Sequence, residues 1–418
     1  MRMTSTIISK PIYVYLQRPD NGEWVTVGRY RLDREGGIGT FLYAPSYVEA
    51  GLSWSVDPVN LPLIAGHDYV APRYGGLHDV LRDANPDAWG KSLLQKAHQL
   101  PTDAHESRYL LLASNADRWG ALAFGTSKTP SVDKLKSPRL PQLEALSQEL
   151  LAIAERRPPI DAKLRKRLVA TPSLGGARPK ATIQDGETFW LVKPYLPTDI
   201  ADIPLLEHVS HECGELAGLN FAKTVLHRLG DGLSVVRILR FDRDGDRRRM
   251  AVSGASLLQT EYPAASQAEA SRWSYPRLAE ELRRIGAPDE DRKELFGRMV
   301  FNAVIGNDDD HPRNHAVVFN PREQRWRLSP AFDVVPNLEE TPKSLTLQLS
   351  SGANVITRAA ILGDAIRFGF LDPEEADRYL DALLARIQSA LDRVASKLTA
   401  DLGQMLVERV AINTRTLS

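Results

Sequence analysis

The chain has 418 residues, enough for two or three domains with well-buried cores. Lys plus Arg and Asp plus Glu balance at 53 each, so no global positive field draws it to nucleic acid or an anionic membrane. A single cysteine, Cys213, excludes an intrachain disulfide framework, and no apolar run is long enough for a signal segment or a bilayer span, which fits a reducing, cytoplasmic setting.

In chain order, Pro11–Gln17 and Glu23–Leu32 read as strands around Arg18-Pro-Asp-Asn-Gly22, a hairpin turn in which Asn-Gly supplies positive φ angles. Gly39–Tyr43 continues the sheet, Asp87–His98 reads as helix, and an apolar stretch at Tyr109–Leu112 precedes Trp119–Phe124. Thr126–Pro141 is polar, carries three prolines and has no apolar period, so it reads as a linker. A helix over Leu143–Ala154 stops before Pro158-Pro159. Strands at Ala181–Gln184 and Phe189–Lys193, a helix over Leu205–Leu219 holding an apolar, structural Cys213, and strands at Lys223–Leu229 and Leu233–Phe241 follow. Beyond them the pattern is mostly helical. Asp372-Pro-Glu-Glu375 supplies an N-cap, an early proline and first-turn acids, and Leu380, Leu383, Leu384, Ile387, Leu391, Val394 and Leu398 make a core-facing stripe. The basic clusters Lys163–Arg167 and Asp246–Arg249 read as solvated faces. These readings divide the chain into a β-rich segment over 1–125, a mixed lobe over 142–245 and a helical lobe over 246–418.

The most informative stretch is Asn302-Ala-Val-Ile-Gly-Asn-Asp-Asp-Asp-His-Pro-Arg-Asn314, followed by Ser329-Pro-Ala-Phe-Asp333. An Asp, an Asn five residues on and a later Asp is the order in which protein kinases place a proton acceptor and two magnesium ligands. The spacing to Asn314 favours Asp309 as proton acceptor, although Asp308 and Asp310 compete on composition alone. Asn314 and Asp333 offer the oxygen donors that magnesium prefers. His311 and His315 stand four apart, but Pro312 between them argues against a helical zinc pair. Lys193 ends an apolar strand, where a lysine reaches the α- and β-phosphates of ATP, and Glu207 at the start of the next helix is placed to orient it. Ser173-Leu-Gly-Gly-Ala-Arg-Pro-Lys180 precedes the first strand of this lobe, and its glycines allow backbone N–H groups close to phosphate. Ordinary turn, cap and strand-end roles compete with each of these assignments taken singly.

Together these segments resemble the HipA family of toxin kinases from bacterial type II toxin–antitoxin pairs. The resemblance covers most of the chain: Tyr13-Val-Tyr15, Trp24–Arg29, Phe41-Leu-Tyr43, Tyr47 and Leu61-Pro-Leu63 are similar to an extra N-terminal subdomain, and Pro86–Gly90 and Gly120-Ala-Leu122 to the segments after it. Ser173–Lys180 resembles the family's Gly-rich loop, Ile305–Asn314 and Pro330–Asp333 its catalytic and metal motifs, and Arg240–Arg243 the segment between its lobes where adenine is held. The chain departs from that pattern at Leu239, where a Glu is frequent, and at Arg178-Pro179, where Gln-Glu is common.

The resemblance implies an α+β, bilobal protein-kinase-like fold with an extra N-terminal β-rich subdomain and a helical C-terminal lobe. It implies a serine/threonine kinase using ATP and Mg2+. Ser173 would be both an autophosphorylation site and, with Gly175, Gly176, Ala177, Arg178, Lys193, Arg240, Phe241 and His311, part of the nucleotide site. The implied partners are a HipB-like helix-turn-helix antitoxin, operator DNA through that antitoxin, and a protein substrate such as an aminoacyl-tRNA synthetase, with no membrane. A silent co-repressor scaffold and a small-molecule kinase are the competing functions.

Overall fold

A computed structural model describes residues 10–33, 37–71, 73–170 and 178–418. The chain forms two compact units, one of residues 1–191 with Asp242–Val252, the other of Val192–Phe241 with Ser253–Ser418.

The first unit is built on an antiparallel sheet of β1 (Ile12–Gln17), β2 (Trp24–Asp33), β3 (Ile38–Tyr43), β4 (Asp68–Ala71) and β5 (Leu122–Gly125), in the order β4-β3-β2-β1-β5. Alternating side chains bury one face: Val14, Leu16, Val27, Tyr30 and Phe41 are at most 1% exposed. The β1–β2 turn forms where expected, but with different chemistry. Only Gly22 takes a positive φ (80°), while Asn21 uses its side-chain oxygen to accept the N–H of Glu23 at 2.9 Å. An Asx turn thus does part of the work assigned to a second left-handed residue. Gly39 is required at its place, because a Cβ there would lie 1.7 Å from the carbonyl oxygen of Gly76.

The basic clusters are solvated in large part, with Lys163, Lys166, Arg167 and Arg247 exposed, but one arginine of each turns inward. The helix Ala162–Ala170 buries Leu164 and Leu168, and its Arg165 pairs with Glu149, a carboxylate with no solvent exposure. Glu149 also accepts the N–H groups of Ile160 and Asp161, each at 2.9 Å. Arg248 is buried and donates to the carbonyls of Asn115 and Ala116 at 2.6 and 2.8 Å. Desolvated guanidinium groups of this kind persist only where fixed acceptors surround them.

In the second unit, Val192–Pro194 ends a strand that starts at Thr188. The helix Ile203–Leu216 follows, with the Asp202 side chain accepting the N–H of Leu205 at 3.1 Å. The strands Thr224–Arg228 and Ser234–Leu239 pair antiparallel, with Leu226 opposite Val236. Cys213 is buried in the helix, and burial pushes its thiol up to about 12, as suits a structural cysteine. The long helices are Tyr275–Arg284, Asp289–Ile305, Pro373–Val394 and Ala400–Leu417. The 373–394 helix is capped by the Asp372 carboxylate and packs its stripe against the 203–216 and 289–305 helices. Leu398 falls beyond the end of that helix.

Two short strands, at the β-rich run around Ala316–Phe319 and the strand after it, interrupt these helices. Ala316–Asn320 and Arg325–Leu328 form a hairpin, and residues 335–357 are irregular. Within that irregular stretch Leu345, Leu347 and Leu349 alternate into the core, so a strand-like period holds it in place without a continuous sheet. No described helix is long and apolar enough to cross a membrane.

One acid-sensitive element sits in the first unit. His78 is buried, donates its Nε2–H to Tyr69 O over 3.0 Å, and packs edge-on against Tyr30 and Phe41. Burial lowers its pKa to about 4, below the ordinary value of 6.5. The imidazole is therefore neutral when folded and contributes up to about 3 kcal/mol of stability above pH 6.5, lost progressively as pH falls towards 4. Ring NMR of His78 should show no protonation at pH 5.5, and the acid-induced loss of stability should be smaller by that amount in His78→Phe.

Candidate active site

The 289–305 helix ends because Gly306 takes φ of 75°, and both Gly306 N–H and Asn307 N–H return to the carbonyl of Asn302, at 3.0 and 2.9 Å. The chain leaves the helix directly into three consecutive aspartates, and the fold gives each a different environment. Asp308 accepts both bonds of the Asn337 amide, at 3.2 and 3.1 Å. Asp310 is 1% exposed and accepts the N–H of Thr346 at 2.7 Å; burial raises its pKa to about 7. Asp309 turns outward, with its side chain 69% exposed.

Partial enclosure by protein, then the negative charges of Asp333 and Asp308, push Asp309 up to about 6. Its carboxylate is open to water, so solvent and any bound cation work in the opposite direction. The short turn Pro312–Asn314 brings Asn314 back beneath it, with the Asn314 amide N–H donating to Asp309 O at 2.8 Å. His311 lies 3.7 Å from Asp309, Nε2 to Oδ1, and burial holds its pKa below the ordinary value. His315 does not join it. That ring is buried on the carbonyl of Asp310 at 3.3 Å, and burial lowers its pKa to about 3.

Lys193 closes the other side. It is 6% exposed, with Nζ 2.7 Å from Glu207 Oε1 and 2.7 Å from Asp333 Oδ1. Burial pulls the Lys193 pKa down, but the Asp333 and Glu207 carboxylates outweigh it and hold the ammonium firmly charged. Asp333 has φ of 59°, a left-handed conformation unfavourable to a side chain with Cβ. Its loop is pinned on the preceding side: Ala331 N donates to Asn220 O at 2.8 Å, and Ala222 N to Ala331 O at 2.9 Å. Phe332 packs on the Ala222–Val236–Ile238 cluster and lies 5.3 Å from the Phe241 ring, which places the 240–241 segment against the Asp333 loop.

The fold thus brings Lys193, Glu207, Asp333, Asp309, His311 and Asn314 into one constellation, with Phe241 alongside. Arg178 is half-buried in the first unit. Ser173, Gly175, Gly176 and Ala177 lie outside the described residues. The donor set suits magnesium. Asp333 offers carboxylate oxygen, and Asn314, whose amide nitrogen is engaged by Asp309 O, leaves its own oxygen to point away from that bond. A small pocket lined by Asn307, Asp310, Asn314, Ala331, Phe332 and Asp333 lies at this point.

The supports of the loop carry no local sequence signal. Arg409, 3% exposed on the last helix, donates to the carbonyls of Asn337 and Glu340 and to the Thr341 hydroxyl. Asn337 in turn holds Asp308 and donates its backbone N–H to Gly306 O at 2.8 Å. Asn413, one turn on, caps the carbonyls of Ala303 and Val304 at 3.0 Å each.

Residues 172–391 match the family model described as the HipA-like C-terminal domain. The chain belongs to the HipA family. HipA of Shewanella oneidensis MR-1, solved with HipB and its operator DNA, is similar over 97% of this chain and 96% of that one, with a TM-score of 0.69 at 15% identity. The proinflammatory kinase CtkA of Helicobacter pylori covers 57% of this chain and 90% of its own, at 13% identity and a TM-score of 0.42. Comparison with curated protein sequences gives no match. The fold of this chain is α+β and HipA-like, as the resemblance implied.

Arg409→Ala would leave two carbonyls and a hydroxyl without their donor, at about 1–3 kcal/mol for each buried group that finds no water. Amide exchange across Asn307–Asp310 should then quicken at least tenfold; unchanged exchange would show that the last helix does not support the loop.

Proposed function

We propose that this HipA-family protein is an ATP-dependent serine/threonine protein kinase and the toxin of a toxin–antitoxin pair. The observation that carries the reading is the buried Lys193 ammonium held between Glu207 and Asp333, with Asp309 and Asn314 on the facing loop. In this reading Lys193 binds the α- and β-phosphates, and Asn314 and Asp333 hold Mg2+, which when bound neutralises phosphate charge. Asp309 orients the acceptor hydroxyl and takes its proton as that oxygen bonds to the γ-phosphorus and the bond to ADP breaks. His311 lies beside the nucleotide, Arg240 and Phe241 face adenine, and Ser173, Gly175, Gly176, Ala177 and Arg178 form the phosphate loop.

The acceptor is a translation component such as an aminoacyl-tRNA synthetase, and Ser173 is a second, internal acceptor. Phosphate on Ser173 would add about −1.5 to −2 charge beside the nucleotide phosphates and switch the enzyme off. The partner is a HipB-like helix-turn-helix antitoxin that carries the complex to operator DNA, a reading supported by the Shewanella HipA structure, which contains both. The cytoplasm is the place of action. The working division is a HipA-type subdomain over 1–125, a nucleotide-binding lobe over 142–245 and a catalytic lobe over 246–418.

Asp309→Asn keeps the side chain's shape but removes the base, and transfer of label from γ-labelled ATP with Mg2+ should fall at least a hundredfold. A panel of aminoacyl-tRNA synthetases, read by mass spectrometry, would name the acceptor. Wild-type activity in the Asn variant would exclude Asp309 from this role.

A further inference from the structure

Two adjacent residues far from the catalytic motif in sequence grip it from outside. The Glu261 carboxylate forms a two-pronged ion pair with the Arg313 guanidinium. The next residue, Tyr262, stacks its ring on His311, with centroids 4.1 Å apart and planes at 26°. Their targets stand two apart on the loop that carries Asp309 and Asn314. Both contacts lie within the second unit.

His311 needs such a support. Its Nδ1 is buried and, among the described residues, meets no hydrogen-bond partner on another residue, so no bond to a neighbour fixes the plane of the ring. A histidine held by a carboxylate or carbonyl at one nitrogen presents the other in a set direction. Here the orienting contact is instead the face of Tyr262, and what His311 presents is Nε2, 3.7 Å from Asp309. Tyr262 is itself backed by Trp273, at 5.4 Å between ring centroids. Trp273 is anchored by its Nε1–H donating to Thr260 Oγ1 at 2.9 Å, and Thr260 is 1% exposed. Tyr262 remains 38% exposed, more than core packing alone would leave it.

We propose that Glu261 and Tyr262 clamp the catalytic loop, and that the Tyr262 ring, through His311, is a positioning residue for Asp309. The inference rests on Asp309 being the proton acceptor of a kinase. The ring matters in this account and the hydroxyl does not. Loss of the ring lets His311 turn and Asp309 drift, which slows transfer without touching Lys193 or Asp333.

Tyr262→Ala, Tyr262→Phe and wild type would be compared for turnover of γ-labelled ATP, counting label on protein and phosphate released. In parallel, the histidine ring spectrum of each would be recorded, with His311 assigned from His311→Gln. Tyr262→Phe should stay within twofold of wild type. Tyr262→Ala should lose about tenfold in kcat, more than any change in KM for ATP, and its His311 signals should lose the displacement caused by the stacked ring. Wild-type kcat in Tyr262→Ala, an equal loss in Tyr262→Phe, or a change in KM alone would overturn the proposal. If wild type itself turns over no ATP, the kinase reading fails. The spectrum then still judges the clamp, which His311 signals unmoved by Tyr262→Ala would overturn.

Discussion

One buried cation organises the second unit. Taking the Lys193 ammonium out of water costs several kcal/mol unless opposite charge meets it. Glu207 and Asp333, each 2.7 Å from Nζ, supply that charge from a helix and from a distant loop. The end of a strand, the 203–216 helix and the 329–334 segment are thereby fixed to one point. The same attraction offsets the unfavourable left-handed backbone of Asp333, which costs about 1–3 kcal/mol. Lys193 is thus the counter-ion of Asp333, the carboxylate proposed to hold the metal.

Around that point, chemically identical side chains are sorted by their neighbours. Asp308 is bonded to an amide, Asp310 is buried beneath a backbone N–H, and Asp309 alone of the three turns to solvent. Composition could not separate these residues; the irregular 335–357 stretch does, by placing Asn337 and Thr346 under the loop. The last helix then secures that stretch through Arg409. Stability at the loop is thus drawn from residues about a hundred positions away.

What was legible in the sequence follows from this division. Strand alternation, the Asp372 cap and the leucine stripe are local patterns, and they locate the sheets and the 373–394 helix. The grouping of Lys193, Glu207, Asp309, Asn314 and Asp333 was readable because those residue types at that spacing are the ones the proposed phosphoryl transfer requires. Arg248 misled because charge runs are ordinarily solvated, and nothing nearby announces the buried acceptors it meets. Glu261, Tyr262, Thr346 and Arg409 were invisible for a similar reason. Each acts across a gap that only the folded chain closes, with no periodicity to mark it. The Asn-Gly turn shows a subtler case: its position was legible, whereas the choice between backbone and side-chain hydrogen bonding was not.

The most direct test of the central claim is calorimetric titration of ATP into the full chain with and without Mg2+, repeated with Asp333→Asn. If Lys193, Asp333 and Asn314 form a metal-assisted phosphate site, Mg2+ should tighten binding at least tenfold in wild type, and the variant should lose that enhancement. Equal affinity with and without the metal, or an undiminished metal effect in the variant, would contradict it.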